Sequence, residues 1–176
     1  MMVSRVLVLM FLSFAGCVCR ADECASLIPE PGRKFVSDAH EWKILDLKDL
    51  PADDASMWAS AHSGQCPGVA VGDFTGGHTP SYAIAMIRKE PSGKYVEQLI
   101  LLVAKGEMFT RLTVVSPKSV VSPFVVWTVP PGKYEGVDQH TSISVPHDSF
   151  VYEKMEAFAT QYYYADGRLH SLITAD

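Results

Sequence analysis

No asparagine occurs among the 176 residues. The chain therefore has no N-glycosylation sequon, and its turns and helix caps must draw on Asp, Ser, Thr and Gly. Basic runs are equally scarce: no stripe of Lys and Arg is present to meet phosphates, so no nucleic acid is expected as a partner and an anionic membrane surface is a poor one. After residue 14 no apolar run approaches the roughly 20 residues needed to cross a bilayer. The spacings that announce common chemistry are missing too. There is no His-Glu-x-x-His, no Cys-x-x-Cys, no Gly-x-Ser-x-Gly elbow, no phosphate-binding glycine loop and no dinucleotide fingerprint, and no cofactor is expected.

What is present begins with an export signal over residues 1–21. Arg5 supplies the positive start, Val6 to Phe14 is apolar except for Ser13, and small residues follow with Cys17, Cys19 and Ala21. Two cuts are readable. Cys19-Arg20-Ala21 would release a soluble product beginning at Asp22. Alternatively, Ser13-Phe14-Ala15-Gly16-Cys17 resembles a bacterial lipobox, which would make Cys17 an acylated first residue and the only link to a membrane. The soluble cut is preferred because it alone leaves an even number of cysteines. The expected location is periplasmic or extracellular.

Removing the signal leaves about 155 residues, enough for one domain with a proper core and too few for two. Arg5 and Arg20 go with it, so thirteen basic residues face twenty acidic ones, a net charge of −7. The whole chain is 48% hydrophobic, which describes a packed globule and excludes a disordered acidic tail. Cys24 and Cys66 remain, and in an oxidising compartment they are expected to pair. The competing reading makes Cys66 a nucleophile with His62 as its base. It is the weaker one, because a lone reactive thiol would not persist there and no oxyanion-type loop accompanies it.

Along the chain, residues 22–46 read as an irregular segment punctuated by Pro29, Pro31 and Gly32, with one short strand near Phe35. Residues 47–176 read as a single mainly β domain. Its helix starts at Pro51, carries Asp53 and Asp54 in the first turn, and stops near Gly64. Ala55, Trp58, Ala59 and His62 fall on one stripe, with Trp58 as the anchor on the sheet. From Gly68 onward, short runs rich in Val, Ile and aromatics read as strands separated by Gly and Pro clusters, one of them spanning Val120 to Val129. The expected class is α+β: mainly antiparallel sheet with one N-terminal helix packed on it. Asp166-Gly167 predicts a two-residue hairpin turn with Tyr164 opposite Leu169, Tyr162 opposite Ser171 and Thr160 opposite Ile173. That register puts Phe158, Tyr162 and Tyr164 on one face and Tyr163 with His170 on the other, half exposed.

Val69-Ala70-Val71-Gly72-Asp73-Phe74, followed by Thr75 to Pro80 and then Ser81-Tyr82-Ala83, resembles the strand-loop-strand signature of FG-GAP and VCBS-type repeats. The resemblance implies a hairpin whose oxygen-rich loop often holds calcium. Here Thr75, Gly77 and Ser81 stand where the family has carboxylates, leaving Asp73 as the single anionic ligand candidate, and calcium wants six to eight oxygens. One copy of the motif, with no second Gly-Asp-Phe, excludes a propeller. The likeness is to uncharacterised exported bacterial proteins and supplies no catalytic residue.

The histidines at 40, 62, 78, 140, 147 and 170 show no metal-ligand spacing. His147, Asp148 and Ser149 supply the residue types of a hydrolytic triad, but neighbours on a strand point to opposite faces. The first expectation is an exported, non-enzymatic binding module that meets a protein or glycan partner in the cell envelope through Tyr163 and His170. The alternatives are a hydrolase built from loop residues such as His78, His140 and His147 with Asp73, Asp138 or Asp148, and a calcium-dependent adhesion module at Asp73.

Overall fold

The computed structural model describes residues 23–37 and 41–175. The expected signal peptide with Cys17 and Cys19, its two cleavage points and His40 lie outside the described residues. The described elements run α1 (Glu23–Ser26), α2 (Glu30–Ser37), β1 (Lys43–Ile44), a 3-10 turn (Leu47–Asp49), α3 (Ala52–Ala61), β2 (Val69–Gly72), β3 (Ser81–Lys89), β4 (Tyr95–Lys105), β5 (Met108–Val120), β6 (Val125–Val129), β7 (Gly132–Glu135), β8 (Ser142–Val145), β9 (Ser149–Lys154), β10 (Phe158–Ala165) and β11 (Arg168–Ala175). Every pairing among them is antiparallel, and the class is α+β as expected. No described helix is long and apolar enough to cross a membrane.

The centre is the β3–β4 pair, whose near-continuous apolar runs reflect cover on both faces. One face, with Ala83, Ala85, Ile87, Leu99 and Leu101, packs on the second sheet through Phe150, Tyr152 and Val126. The opposite face, with Tyr82, Ile84, Met86, Ile100 and Leu102, is covered by Ile28, Phe35, Val36 and Trp42. The first sheet runs β1-β3-β4-β5 with β2 also on β3, and the second runs β11-β10-β9-β6. The two are stitched where β6 passes β2: Val126 N–H donates to Pro67 O at 2.8 Å and the Thr128 hydroxyl to Val71 O at 2.9 Å.

Residues 22–46 are a correction. Far from irregular, their described part holds α1, α2 and β1, and it packs on the sheet as an integral layer. Pro31 does not break α2 because it sits in the first turn, where the N–H groups have no helical partner to lose. Phe35 lies in that helix, and the early strand is instead β1, paired with Ile87 and Met86. The expected strand Val120–Val129 is also split. Val120 ends β5, and Phe124 gives its N–H to the Glu97 carboxylate at 2.9 Å instead of to a strand ladder. Past Pro130-Pro131, where the chain reads as a turn leaving the sheet, β7 pairs with β8.

Helix α3 forms as read, with Pro51 at its start, Trp58 fully buried and Gly64 just beyond its end at φ +74°. The last hairpin also keeps its expected register: Tyr164 faces Leu169, Tyr163 faces His170, Tyr162 faces Ser171 and Thr160 faces Ile173. Asp166 and Gly167 both have positive φ, 53° and 73°. A Cβ at residue 167 would meet nothing within 4 Å, so a branched residue there suffers backbone strain alone. Gly167→Val is therefore expected to cost about 2 kcal/mol in urea unfolding. Gly167→Asn should cost less, and equal losses would point away from the turn.

Candidate functional site

Tyr163 and His170 stand directly opposite each other across the hairpin, their rings stacked with centroids 5.5 Å apart and planes 20° off parallel. Both are half-buried, so part of the stack meets solvent. His170 Nε2 lies 3.2 Å from Ala165 O and 3.3 Å from Arg168 Nε. With a proton, Nε2 donates to the carbonyl; without one, it accepts from the guanidinium. Either way the imidazole plane is held, and the exposed Arg168 adds a cation at the rim. The result is a small, partly exposed aromatic stack edged by a phenol, an imidazole and a guanidinium.

The face bearing this platform is open only near the hairpin tip. Farther along it, Gln161 and Leu172 are buried. Gln161 donates to the Ser149 hydroxyl at 2.8 Å, and the chain leaving β7 crosses Leu172, where Val137 N–H bonds Ile173 O at 2.9 Å. On the other face Tyr162 packs into the core and stacks on Phe150 at 5.5 Å, while Phe158, of the same parity, is exposed.

The Gly-Asp-Phe segment does make a hairpin, with Gly72 opposite Ser81. Its loop uses one oxygen of its single carboxylate internally, since Asp73 Oδ2 accepts from His78 N–H at 2.8 Å, while Oδ1 is buried without a hydrogen-bond partner among the described residues. Asp73 N–H in turn donates to Asp148 Oδ2 at 2.9 Å, which pins this loop to the turn before β9. His147 lies against Gly76, where a Cβ would come within 2.7 Å of its ring and φ is +72°, so glycine is required twice over. Sequence reasoning left the Asp73–His78 loop and His147–Asp148 apart, and the fold joins them. The chemistry they offer is limited. His147 Nδ1 contacts the backbone oxygen of Asp148, His78 is almost wholly exposed, and the Ser149 hydroxyl is buried toward Gln161. Asp138 and His140 sit elsewhere, with the Asp138 carboxylate accepting from Thr141 N–H, the Thr141 hydroxyl and His140 N–H; those bonds hold its pKa below the usual range. Among the described residues no three His, Cys, Asp or Glu side chains are placed to hold a metal ion.

Cys24 and Cys66 form a disulfide with Cα atoms 5.4 Å apart, which removes Cys66 as a free nucleophile. His62 stacks on Trp58 at 4.2 Å and leans on Trp127 at 5.0 Å, and burial lowers its pKa.

One feature escaped the sequence reading altogether. Glu97, near the start of β4, is 1% exposed. Its carboxylate accepts from the Tyr152 hydroxyl and from Phe124 N–H, with Lys118 Nζ 3.8 Å away and resting on the stacked Phe124 and Tyr152 rings. Burial pushes its pKa up, against the pull of those three donors. Tyr152 is raised as well, by burial and by the Glu97 charge, so the phenol keeps its proton and donates. These groups tie the two sheets together.

No family model matches this chain, nor does any curated protein or solved structure, so the reading of its site rests on its own residues.

Proposed function

We propose that this is an exported binding protein, working in the periplasm or outside the cell without catalysing a reaction, and that it meets an envelope partner through Tyr163, His170 and Arg168. The observation carrying the reading is the half-exposed Tyr163–His170 stack on a rigid hairpin. Such a surface suits a flat apolar face bordered by hydroxyls or amides, as on a glycan or a peptide, because the rings supply contact area at little entropic cost and the rim supplies hydrogen bonds. The N-terminal signal and the Cys24–Cys66 bridge support export, since such bridges persist in oxidising compartments. A lipid anchor at Cys17 would place the same module on a membrane surface.

Co-sedimentation with peptidoglycan, alongside binding to immobilised envelope proteins, tests this. Tyr163→Ala should weaken binding about tenfold or more while urea unfolding stays close to the native curve. Tyr162→Ala, which strips a ring from Phe150, should instead lose about 2 kcal/mol of stability and keep binding in the folded fraction. Undiminished binding by both Tyr163→Ala and His170→Ala would rule the platform out.

A further inference from the structure

A cleft of about 370 Å³ lies beside the disulfide, between α1, the 3-10 turn and the end of α3. Its volume falls in the range of small-molecule sites. Leu27 and Leu47 line it while remaining 45% and 37% exposed, Trp58, Cys24 and Cys66 extend the apolar lining, and Ser26, Ser63, Gln65 and His62 are its uncharged polar members. Two large aliphatic side chains left in water beside a concavity gain free energy when an apolar occupant covers them. Asp46 is the one charged residue lining the cleft, and Lys48 Nζ stands 3.6 Å from its carboxylate. A charged ligand would find no unpaired counter-charge here and would lose its hydration.

Among the polar residues lining the cleft, His62 is the one held in place by two rings. Trp58 spends its indole N–H on Gln65 O at 3.1 Å, whereas neither ring nitrogen of His62 has a hydrogen-bond partner among the described residues. Its ring is held by Trp58 and Trp127. Burial favours the neutral imidazole, which offers one N–H donor and one bare acceptor nitrogen in fixed positions.

We propose that this cleft binds a small, uncharged, apolar molecule that lies against Leu27 and Leu47 and whose single polar group hydrogen-bonds to His62. The site shares no residue with the Tyr163–His170 platform, so either can fail without the other.

Titration of the purified protein with N-phenyl-1-naphthylamine tests it. That molecule is uncharged and apolar, has one N–H, and fluoresces in apolar surroundings. The expected result is a saturable signal with one molecule per chain. Its sulfonated counterpart, 8-anilinonaphthalene-1-sulfonate, should bind about tenfold more weakly or worse for want of a cation. Leu27→Asp and Leu47→Asp, both at exposed positions, should each raise the dissociation constant about tenfold. His62→Phe, which keeps an aromatic ring between the tryptophans, should do likewise through the lost hydrogen bond. Met108→Asp, at a residue 72% exposed on β5 and outside the cleft, should change nothing. A signal that does not saturate, equal binding of the sulfonate, or indifference to both leucine variants would overturn the proposal. Native affinity in His62→Phe would overturn the role given to His62. Should that variant fail to fold, the leucine variants and the sulfonate comparison still decide.

Discussion

Cys66→Ala is expected to lower stability by about 3 to 4 kcal/mol in urea unfolding. The bridge spans a sequence separation of 42 and joins α1 to the segment that enters β2. In the chain-entropy picture, opening it restores freedom chiefly to the unfolded chain, and the cost grows with the loop closed. The consequence is local as well, because the segment from α1 to β1 packs on one face of the β3–β4 pair and the bridge fastens its start. The double variant Cys24→Ala/Cys66→Ala should lose no more than either single change, and reductant should reproduce the loss in the native protein. Two reactive thiols in the domain under non-reducing conditions would contradict the bridge. A Cys66→Ala protein that stays stable yet no longer binds would revive a chemical role for that sulfur.

Glu97→Ala is expected to cost about 3 kcal/mol, because it leaves the Tyr152 hydroxyl and Phe124 N–H buried without their acceptor and opens a void between the sheets. Tyr152→Phe together with Glu97→Leu should recover part of that loss by removing donor and acceptor together. The pH dependence has a definite sign. Burial raises the folded-state pKa of Glu97 above its ordinary 4.5, so the folded chain holds this proton more tightly than the unfolded chain does. Its contribution is therefore full below 4.5 and is lost as pH rises through the raised value. Glu97→Gln, which cannot ionise, should gain stability relative to the native protein across that window. Parallel pH profiles for the two would show that Glu97 does not titrate there, and a loss under about 1 kcal/mol in Glu97→Ala would show that the donors find other partners.

The residues that proved legible are those whose behaviour is decided within a few positions of chain. Asp166-Gly167 specifies its turn through backbone sterics, and once the turn is set the two-residue period of a strand places Tyr162 inward and Tyr163 opposite His170. Pro51, the acidic first turn and Gly64 bracket α3 in the same local way, and Trp58 is too large an apolar surface to leave in water. Pro29, Pro31 and Gly32 misled because a proline reads as a breaker in isolation. At the start of a helix it is harmless, and Gly32 is buried where α2 comes close to Leu102 and Phe109.

By itself, then, the sequence determined the antiparallel α+β class, the pairing of Cys24 with Cys66 and the register of the last hairpin. Each follows from local sterics, hydrophobic period or cysteine parity. The tertiary structure alone decided which distant groups meet. Glu97 finds Tyr152 across 55 residues, Asp73 finds Asp148 across 75, and Leu27, Leu47 and His62 come to border one cleft from three separate elements. Such meetings depend on how the sheets and helices stack, and stacking is settled by burial summed over the whole molecule, to which no single stretch of residues holds the key.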